Sequence, residues 1–454
     1  MLRIFLWALI VIVAVAPLPL GSNRPLAWSL LSLEVGILLV CWSIHHMWTG
    51  QMLPVKIKHI RAPLVLFTLT CAWVLVQLIP NIPFGLAHPA WQEVNIFFGS
   101  DIPERITIDP DGTVTGLLRW LAYAGVFWLS LQLGRDRAAA KTALTAFTVI
   151  AAAYALYGLI ALFALDDTIL LYDKWTGKGS VTSTFVNRNS YATFAGLGVI
   201  ATTALIIGFL QRQSDLPLFS RERMREFLSH GLTSGTLAFL LLFVSVTALL
   251  LTGSRAGALS TLAALIVLVW RLIHGARLSA QSNIVCVAIF LVLGIGVVSF
   301  SGGFLGERFT EGGDPLRTEN YQQTLNAIED HALLGSGLGS FPQVFPLYRD
   351  TEVLREKYVS KAHNTYLENA LEVGVPGLMC LTLAIGLLAW QCWKGISVRS
   401  RDRHFPAMGL GVTVLVGLHS LVDFSLQIPA VTVAYMYLLG IGVAQSFSSR
   451  RSWL

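Results

Sequence analysis

The sequence predicts an all-α, polytopic membrane protein. Of its 454 residues, 54% are hydrophobic and only 13% are charged, and the mean hydropathy is +0.65. A water-soluble domain has no core large enough for so much apolar surface. The apolar residues form runs of about 20, the length at which a helix crosses a hydrocarbon core of about 30 Å. We therefore expect a single transmembrane domain over residues 1–454, with about 12 membrane helices.

The apolar runs follow one another along the chain, with boundaries that are defined to within several residues. The first run has the length of a signal peptide, but no small-residue cleavage site follows it, and Pro17, Pro19 and Pro25 suit a turn between helices. We interpret it as the first membrane helix. The predicted spans are 2–20, 26–48, 62–80, 116–133, 142–165, 190–210, 234–252, 256–273, 282–300, 365–390, 406–424 and 429–447.

The basic residues divide the connecting loops into two sets. With both termini placed in the cytoplasm, one set holds 19 of the 32 Lys and Arg residues and only five acidic ones, which predicts the orientation. Within this set, 211–233 is predicted to form a helix on the membrane surface. A large loop over 301–364, between the ninth and tenth helices, then lies outside the cytoplasm. The net charge of +6 thus reflects topology and does not indicate nucleic-acid binding.

No motif in the sequence indicates a cofactor or a metal ion. The five cysteines lie in or at the ends of apolar runs, without the spacing of a metal site or of a disulfide framework. No glycine-rich loop of the nucleotide-binding kind is present. Energy from ATP is therefore not implied.

The segment HNTYLENALEVGVPGL, residues 363–378, places ionisable groups at the start of a membrane helix and a helix-breaking Gly-Val-Pro-Gly within it. Because charged groups in hydrocarbon cost free energy, such a cluster predicts a site for a lipid-borne substrate. A helix end with snorkelling side chains is the alternative. The candidate residues of this segment are His363, Asn364, Tyr366, Glu368 and Glu372.

Two arginines lie where apolar helices are predicted to begin on the exterior side. Arg255 follows Ser254 in the short loop TGSRAG, and Arg188 lies between Asn187 and Asn189. The amides that open a helix bind anions, and two guanidinium groups at the same membrane depth can grip a pyrophosphate bidentately. For each arginine, an interhelical salt bridge is the alternative.

Two further exterior segments carry candidate residues. In the large loop, Asp314 is predicted to cap a short amphipathic helix that contains Tyr321, and Arg317 in its first turn points to an anion or to solvent. His419 and Asp423 are four residues apart and are predicted to share a helix face. Two ligands are too few for a metal site, so we favour a supporting role for this pair. Inside the second span, Glu34 is expected to pair with a neighbouring helix.

With these motifs, the chain resembles the O-antigen ligase and polysaccharide polymerase superfamily of bacterial membrane glycosyltransferases. The resemblance is carried by STFVNRNSYATF at 183–194, TGSRAG at 252–257, the Arg317 helix with LLGSGLGSF at 333–341, and 363–378. HSLVDFSLQIP is also similar to a subset of the family. The resemblance covers about 180–430; the first third is similar only in hydropathy and in ITIDPDGTV.

The family's ligases mark their functional loop by His, then Asn, Ser or Gln, then two glycines at fixed spacing. His363, Asn364, Gly374 and Gly377 match that spacing. Ligases of the family often continue with two threonines, where this chain has Leu378 and Met379. Ligase and polymerase therefore both stay open.

The resemblance implies a GT-C-like fold in the bacterial inner membrane, with a metal-independent active site on the periplasmic side and 301–364 as a periplasmic loop. It implies an undecaprenyl-pyrophosphate-linked glycan as donor and a second glycan or the lipid A core as acceptor, in O-antigen or exopolysaccharide biosynthesis. We expect Arg188 and Arg255 to hold the pyrophosphate and His363 to act as general base, with Glu372 or Glu368 as the second choice. Tyr366 is expected to stack on a sugar, Asn187 and Asn189 to orient the donor, and Arg317 to contact the carrier or the glycan.

Two other functions stay open at this point. A transporter or flippase would move the lipid-linked glycan without cleaving it, but transporters place binding residues near the midplane in repeated halves. Here the charges cluster at the exterior helix ends and no repeat is visible. An oligosaccharyltransferase would use a protein side chain as acceptor.

Overall fold

The computed structural model describes residues 2–210, 234–275, 315–349 and 359–447. Within these ranges the chain is predominantly helical, with one small antiparallel sheet of β1 (Thr168–Ile169) and β2 (Tyr172–Asp173). The prediction of an all-α class is thus confirmed. The predicted span 282–300, the predicted surface helix in 211–233 and the predicted cap Asp314 lie outside the described residues.

The described ranges contain fourteen α-helices. Six of them, which begin at Pro25, Pro110, Arg137, Arg188, Arg255 and Thr365, are long and apolar enough to cross a membrane, and five shorter apolar helices accompany them. The protein is therefore a multi-pass membrane protein, while the count of about 12 spans and the GT-C-like fold stay predictions. The helices are α1 (Leu2–Val15), α2 (Pro25–Thr49), α3 (Arg61–Gln77), α4 (Ala90–Phe98), α5 (Pro110–Leu133), α6 (Arg137–Ala164), α7 (Arg188–Leu210), α8 (Ser234–Leu251), α9 (Arg255–Gly275), α10 (Pro315–His331), α11 (Phe341–Val344), α12 (Thr365–Val398), α13 (His404–His419) and α14 (Pro429–Ala444).

Several helices begin earlier than the apolar runs predict, because their first turns are polar. α5 begins at Pro110, and the carboxylate of Asp109 accepts a hydrogen bond from the Gly112 amide at 2.9 Å. Proline at the first helical position and aspartate before it are favourable at a helix start. In α6, Asp136 caps in the same way by accepting from the Ala139 amide at 2.8 Å. A hydropathy profile does not detect these polar first turns, so it places the helix starts too late in the chain.

The backbone of α12 is interrupted within the Gly-Val-Pro-Gly motif. Gly374 has φ +74° and ψ +163°, which is far from helical, and Pro376 has no amide hydrogen to donate. The segment 333–341, LLGSGLGSF, fills the break with its own backbone. The amides of Ser336 and Gly337 donate to the carbonyls of Leu371 and Glu372 at 2.9 Å each, and the Val375 amide donates to the carbonyl of Ala332, just before the segment, at 2.7 Å. Because buried carbonyl groups need donors, these bonds hold the segment against α12.

Loops that the charge pattern assigns to the cytoplasm meet at one end of the helix bundle. Arg137 forms an ion pair with Asp402 at 2.6 Å, and Arg399 lies 3.8 Å from the same carboxylate. Arg135 donates to the carbonyl of Phe447 at 3.1 Å. The connections that follow α5, α12 and α14 are therefore on the same side of the protein.

The described residues contain no partner for Glu34. Its side chain is exposed on α2 and forms no ion pair with any residue in the described ranges, so the expected pairing with a neighbouring helix stays a prediction. The buried positions of α2 are Leu31, Val35, Leu38 and Trp42, which recur at helical spacing. That spacing leaves residue 34 beside the packed face, turned away from the core.

Candidate functional site

Asn187 caps the start of α7 and leaves Arg188 pointing outward. The Asn187 Oδ1 accepts hydrogen bonds from the amides of Asn189 at 2.7 Å and of Ser190 at 3.3 Å. The side chain of Arg188, the first residue of the helix, is exposed. The guanidinium is therefore available at the positive end of the helix dipole, a favourable place for an anion.

The turn before α9 brings a second helix start to Arg188. Ser254 is buried and its Oγ accepts from the Gly257 amide at 3.3 Å, which caps α9. Gly253 has φ +64°, and a Cβ placed on it would lie 3.5 Å from Nη1 of Arg188. Arg188 thus lies against the turn that leads directly into Arg255. The two arginines that the sequence analysis paired are on neighbouring helix starts.

His363 lies immediately before α12 in an unusual backbone conformation. Its φ is +55°, in the left-handed region that non-glycine residues seldom occupy. The contacts that hold the residue there include a hydrogen bond from Tyr321 Oη to the His363 carbonyl at 2.9 Å and the Phe424 ring, which meets the imidazole edge-on with centroids 4.9 Å apart. Asn364 then caps α12 by accepting from the Tyr366 amide at 2.9 Å. The imidazole is therefore held in a defined position.

The glutamates of the 363–378 segment bind protein groups. Glu368 is 1% exposed; one carboxylate oxygen pairs with Lys361 Nζ at 2.9 Å and the other accepts from the Ala362 amide at 3.0 Å. Glu372 is also buried and accepts from the Phe341 amide at 3.3 Å. Glu368 thereby fixes the residues that precede His363. Contact of either glutamate with a substrate stays a prediction.

The turn 419–427 connects the candidate residues to one another. α13 ends at His419, earlier than the predicted 424, so His419 and Asp423 do not share a helix face and instead lie within this turn. The turn accepts hydrogen bonds from the starts of α7, α10 and α12. The donors are Asn189 to the Asp423 carboxylate at 3.3 Å, Arg317 to the Val422 carbonyl at 3.4 Å, Asn364 to the Leu421 carbonyl at 2.9 Å, and Thr365 to the Asp423 carbonyl at 3.1 Å.

A buried chain of hydrogen bonds, which we call the Thr193 network, connects this turn to α7. It consists of His419, Thr193, Ser425 and Asp423, each no more than 2% exposed. Thr193 Oγ1 is 2.6 Å from His419 Nδ1 and 2.9 Å from Ser425 Oγ, and Ser425 donates to the Asp423 carboxylate.

The direction of this chain follows from the number of protons available. An ionised carboxylate only accepts, and each hydroxyl has one proton to donate. Since Ser425 donates to Asp423, Thr193 donates to Ser425, and His419 donates to Thr193 from Nδ1. The other ring nitrogen, His419 Nε2, is then an acceptor; it is buried and has no hydrogen-bond partner within the described residues.

Charges of both signs lie near Tyr321 on α10. Burial raises the pKa of this tyrosine, while the positive charge of Arg317 lowers it and the negative charge of Asp423 raises it further. Arg317 therefore lies close to the same turn that holds Asp423. In the described part of the chain, no group of three His, Cys, Asp or Glu side chains has the geometry for a metal ion.

The sequence analysis missed the residues that support the site without carrying charge. Thr193 and Ser425 lie inside the quoted blocks STFVNRNSYATF and HSLVDFSLQIP, but a search for ionisable groups passes over hydroxyls. Phe424 and Lys361 were also missed. Phe424 and Lys361 could have been found from the sequence, because each lies within two residues of a named candidate.

The comparisons with known proteins bear on the central part of the chain. A family model described as O-antigen ligase matches residues 238–382. The match runs from α8 into α12 and includes Arg255, Arg317 and His363, whereas Arg188, His419 and Asp423 lie outside it. No curated protein matches the chain.

Proposed function

Because a family model described as O-antigen ligase matches residues 238–382, we propose that this chain is a member of the O-antigen ligase and polysaccharide polymerase superfamily and a glycosyltransferase of surface polysaccharide synthesis. It transfers a glycan from undecaprenyl pyrophosphate to a hydroxyl group of a glycan or of the lipid A core. The reaction takes place on the periplasmic side of the inner membrane.

Arg188 and Arg255 bind the pyrophosphate of the donor in this proposal. Arg188 Nη1 approaches Gly253, where an added Cβ would lie 3.5 Å from it, so Arg188 and Arg255 are at adjacent helix starts. The backbone amides and helix dipoles there also favour an anion. Guanidinium groups suit this role because each can donate two parallel hydrogen bonds to one phosphate. The approach of Arg188 to the turn that precedes Arg255 is the observation that carries the proposal.

His363 acts as the general base on the acceptor. Its imidazole takes the proton of the attacking hydroxyl while the new bond from that oxygen to the sugar C1 forms and the bond from C1 to the phosphate oxygen breaks. The electron pair of the broken bond stays on undecaprenyl pyrophosphate, whose charge the two arginines stabilise. An unperturbed histidine titrates near pH 6.5, so its neutral form is abundant at neutral pH.

The neighbouring residues position these groups or contact the sugars. Glu368 and Asn364 hold the backbone around His363 through the hydrogen bonds described above. Arg317 contacts the carrier or the growing glycan from the first turn of α10, and Tyr366 stacks on a sugar. Asn187 and Asn189 orient the donor with their side-chain amides. His419 and Asp423 hold the turn 419–427 in place through the Thr193 network.

Purified protein in detergent, incubated with a lipid-linked repeat unit, tests this proposal through the release of undecaprenyl pyrophosphate. Arg188→Gln, Arg255→Gln and His363→Asn should each abolish release. Asn is chosen at 363 because it tolerates a positive φ better than most residues. Lys178→Gln, an exposed cation in the loop before α7, is the matched control and should release at the wild-type rate.

The remaining outcomes separate the alternatives. Wild-type release by any of the three variants removes that residue from the mechanism. If the wild-type protein binds the donor but releases no carrier, the transport function is favoured. Deletion of the gene then distinguishes the acceptors: single repeats on the cell surface indicate a polymerase, long chains left on the carrier indicate a ligase, and an unmodified protein indicates protein glycosylation.

A further inference from the structure

A groove runs along the outer surface of the bundle between α2 and α5. Its volume is about 590 Å³, and its walls are mainly apolar, including Trp28, Leu33, Ile37, Val40 and Leu118. From Trp28 to Cys41, the groove follows thirteen residues of α2, about 20 Å at 1.5 Å per residue. This is roughly two thirds of a hydrocarbon core of about 30 Å. The groove therefore has the length and polarity of a site for a hydrocarbon chain.

One cation stands beside this groove within the membrane-spanning part of α5. Arg119 places its guanidinium over the ring of Trp28, 4.9 Å from the ring centroid. Within the described residues, its Nε is buried without a hydrogen-bond partner, and no Asp or Glu forms an ion pair with it. A cation in this environment is costly unless an anion accompanies it.

The position of Arg119 indicates where that anion lies. Trp28 is in the first turn of α2, close to the end that the charge pattern places outside the cytoplasm, and Trp is favoured at the headgroup level of a bilayer. A long Arg side chain directed toward such a ring carries its charge toward the interface. The cation is thus at the headgroup end of the groove, with the apolar walls extending inward from it.

We propose that this groove binds one anionic phospholipid of the exterior leaflet, with its phosphate on Arg119 and one acyl chain along α2 and α5. The glycan donor belongs elsewhere, because the candidate site is built from the starts of α7, α9, α10 and α12 and the turn 419–427. Bound lipid would also stabilise the protein through α5, since Gly116 packs against Leu338 of the segment 333–341, where an added Cβ would lie 2.7 Å from the leucine side chain.

Native mass spectrometry of delipidated protein in detergent tests the headgroup contact. Phosphatidylglycerol should bind in a 1:1 complex more tightly than phosphatidylcholine of the same chain length. Because hydrogen bonds to charged groups contribute about 1.5 to 3 kcal/mol, Arg119→Gln should weaken the phosphatidylglycerol complex by about 10- to 100-fold, and Arg119→Lys should weaken it less. Equal binding of both lipids, or an unchanged affinity of Arg119→Gln, would overturn the proposal.

A second variant tests the acyl-chain contact without changing a charge. Gly36 lines the groove, and a Cβ placed on it meets no atom within 4 Å, so Gly36→Leu fills the groove without a clash. Gly386→Leu is the matched control, because Gly386 is an exposed glycine of α12 with equally open surroundings. Only Gly36→Leu should lose the bound phosphatidylglycerol.

Two results would contradict the acyl-chain assignment. One is equal phosphatidylglycerol binding by the Gly36 and Gly386 variants. The other is tighter binding of undecaprenyl phosphate than of phosphatidylglycerol that is lost in Gly36→Leu, since the groove would then belong to the carrier. Neither measurement depends on glycan transfer, so the proposed function and this inference can fail independently.

Discussion

Thr193 of α7 and His419 at the end of α13 share a buried hydrogen bond of 2.6 Å, although 226 residues separate them in the chain. The bond is one step of the chain of donors that ends at the Asp423 carboxylate. Asp423 also accepts a hydrogen bond from Asn189, the residue that directly follows Arg188. The Thr193 network therefore ties the helix that carries the first arginine to the turn that contacts His363.

Thr193→Val is expected to disconnect this network while preserving side-chain shape. The substitution leaves His419 Nδ1 and Ser425 without their partner inside the bundle, and an unsatisfied buried polar group costs about 1 to 3 kcal/mol. Thermal unfolding in detergent should detect the loss as a lower midpoint. Glycan transfer should fall severalfold without disappearing, because Thr193 is buried and is not one of the residues proposed to contact the substrate.

Thr203→Val is the control for this experiment. Thr203 is buried on the same helix, but its hydroxyl donates only to the Val199 carbonyl of the preceding turn at 2.8 Å. It should unfold and react much like the wild-type protein. An equal effect of both variants would show that the loss at 193 reflects a buried hydroxyl in general and not the network.

Glu368→Gln distinguishes a positioning role from that of a general base. The amide keeps the size of the side chain but loses the ion pair with Lys361. We expect kcat for glycan transfer to fall severalfold, with an unchanged pH profile. If Glu368 were the base, activity would be lost at every pH.

Lys361→Met supplies the companion measurement. It removes the other half of the ion pair and should reduce kcat to a similar extent. The double variant should be little worse than either single one, because residues in one ion pair do not act additively. Independent, multiplying effects would contradict the assigned contact.

The sequence predicted the helical class because apolar runs of membrane length leave few alternatives. It also predicted where Arg188, Arg255 and His363 begin or precede helices, since capping residues and short polar turns are local signals. The exposed position of Glu34 could not be predicted. Which side of a helix faces the bundle depends on its neighbours, and the buried positions of α2 appear only once α1 and α5 pack against it.

The turn 419–427 shows a second limit of prediction from sequence. Hydropathy extends the apolar run to 424, whereas the structure ends α13 at His419, because Ser420, Asp423 and Ser425 bond to other segments instead of continuing a helix. The partners of these groups lie on α7 and α12, distant in sequence. The pair His419 and Asp423 was therefore recognised, but its geometry was not.

Gly374→Ala is expected to destabilise the protein strongly. The residue has φ +74°, which costs a non-glycine side chain about 1 to 3 kcal/mol in the absence of any clash. An added Cβ would also lie 2.5 Å from the Leu333 carbonyl oxygen, so the segment 333–341 would have to move away from α12. Thermal unfolding should show a clear decrease in midpoint.

Gly386→Ala provides the comparison on the same helix. Its Cβ would meet no atom within 4 Å, and alanine favours a helix over glycine by about 1 kcal/mol. This variant should unfold at the wild-type midpoint or slightly above it. A stable Gly374→Ala would mean that the break in α12 tolerates an L-side chain and that segment 333–341 does not depend on close contact there.

Acidification should lower the free energy of unfolding through the stacked rings of His88 and His331, whose centroids are 4.8 Å apart. Burial, and then the charge of His331, lower the pKa of His88 to about 4, and burial lowers the pKa of His331 as well. Both rings are neutral in the folded protein at neutral pH. The unfolded chain takes up protons near pH 6.5.

The sign of the effect follows from this difference. Well above pH 6.5 neither state binds a proton at these rings, so their contribution to stability does not depend on pH there. Between pH 6.5 and about 4 the unfolded state binds more protons than the folded state at His88, and this ring lowers stability by up to about 1.4 kcal/mol per pH unit. The lowered pKa of His331 acts in the same direction. Unfolding midpoints measured at pH 7.5 and pH 5 should therefore differ, and His88→Gln should reduce that difference. An unchanged difference in the variant would assign the acid sensitivity to other groups.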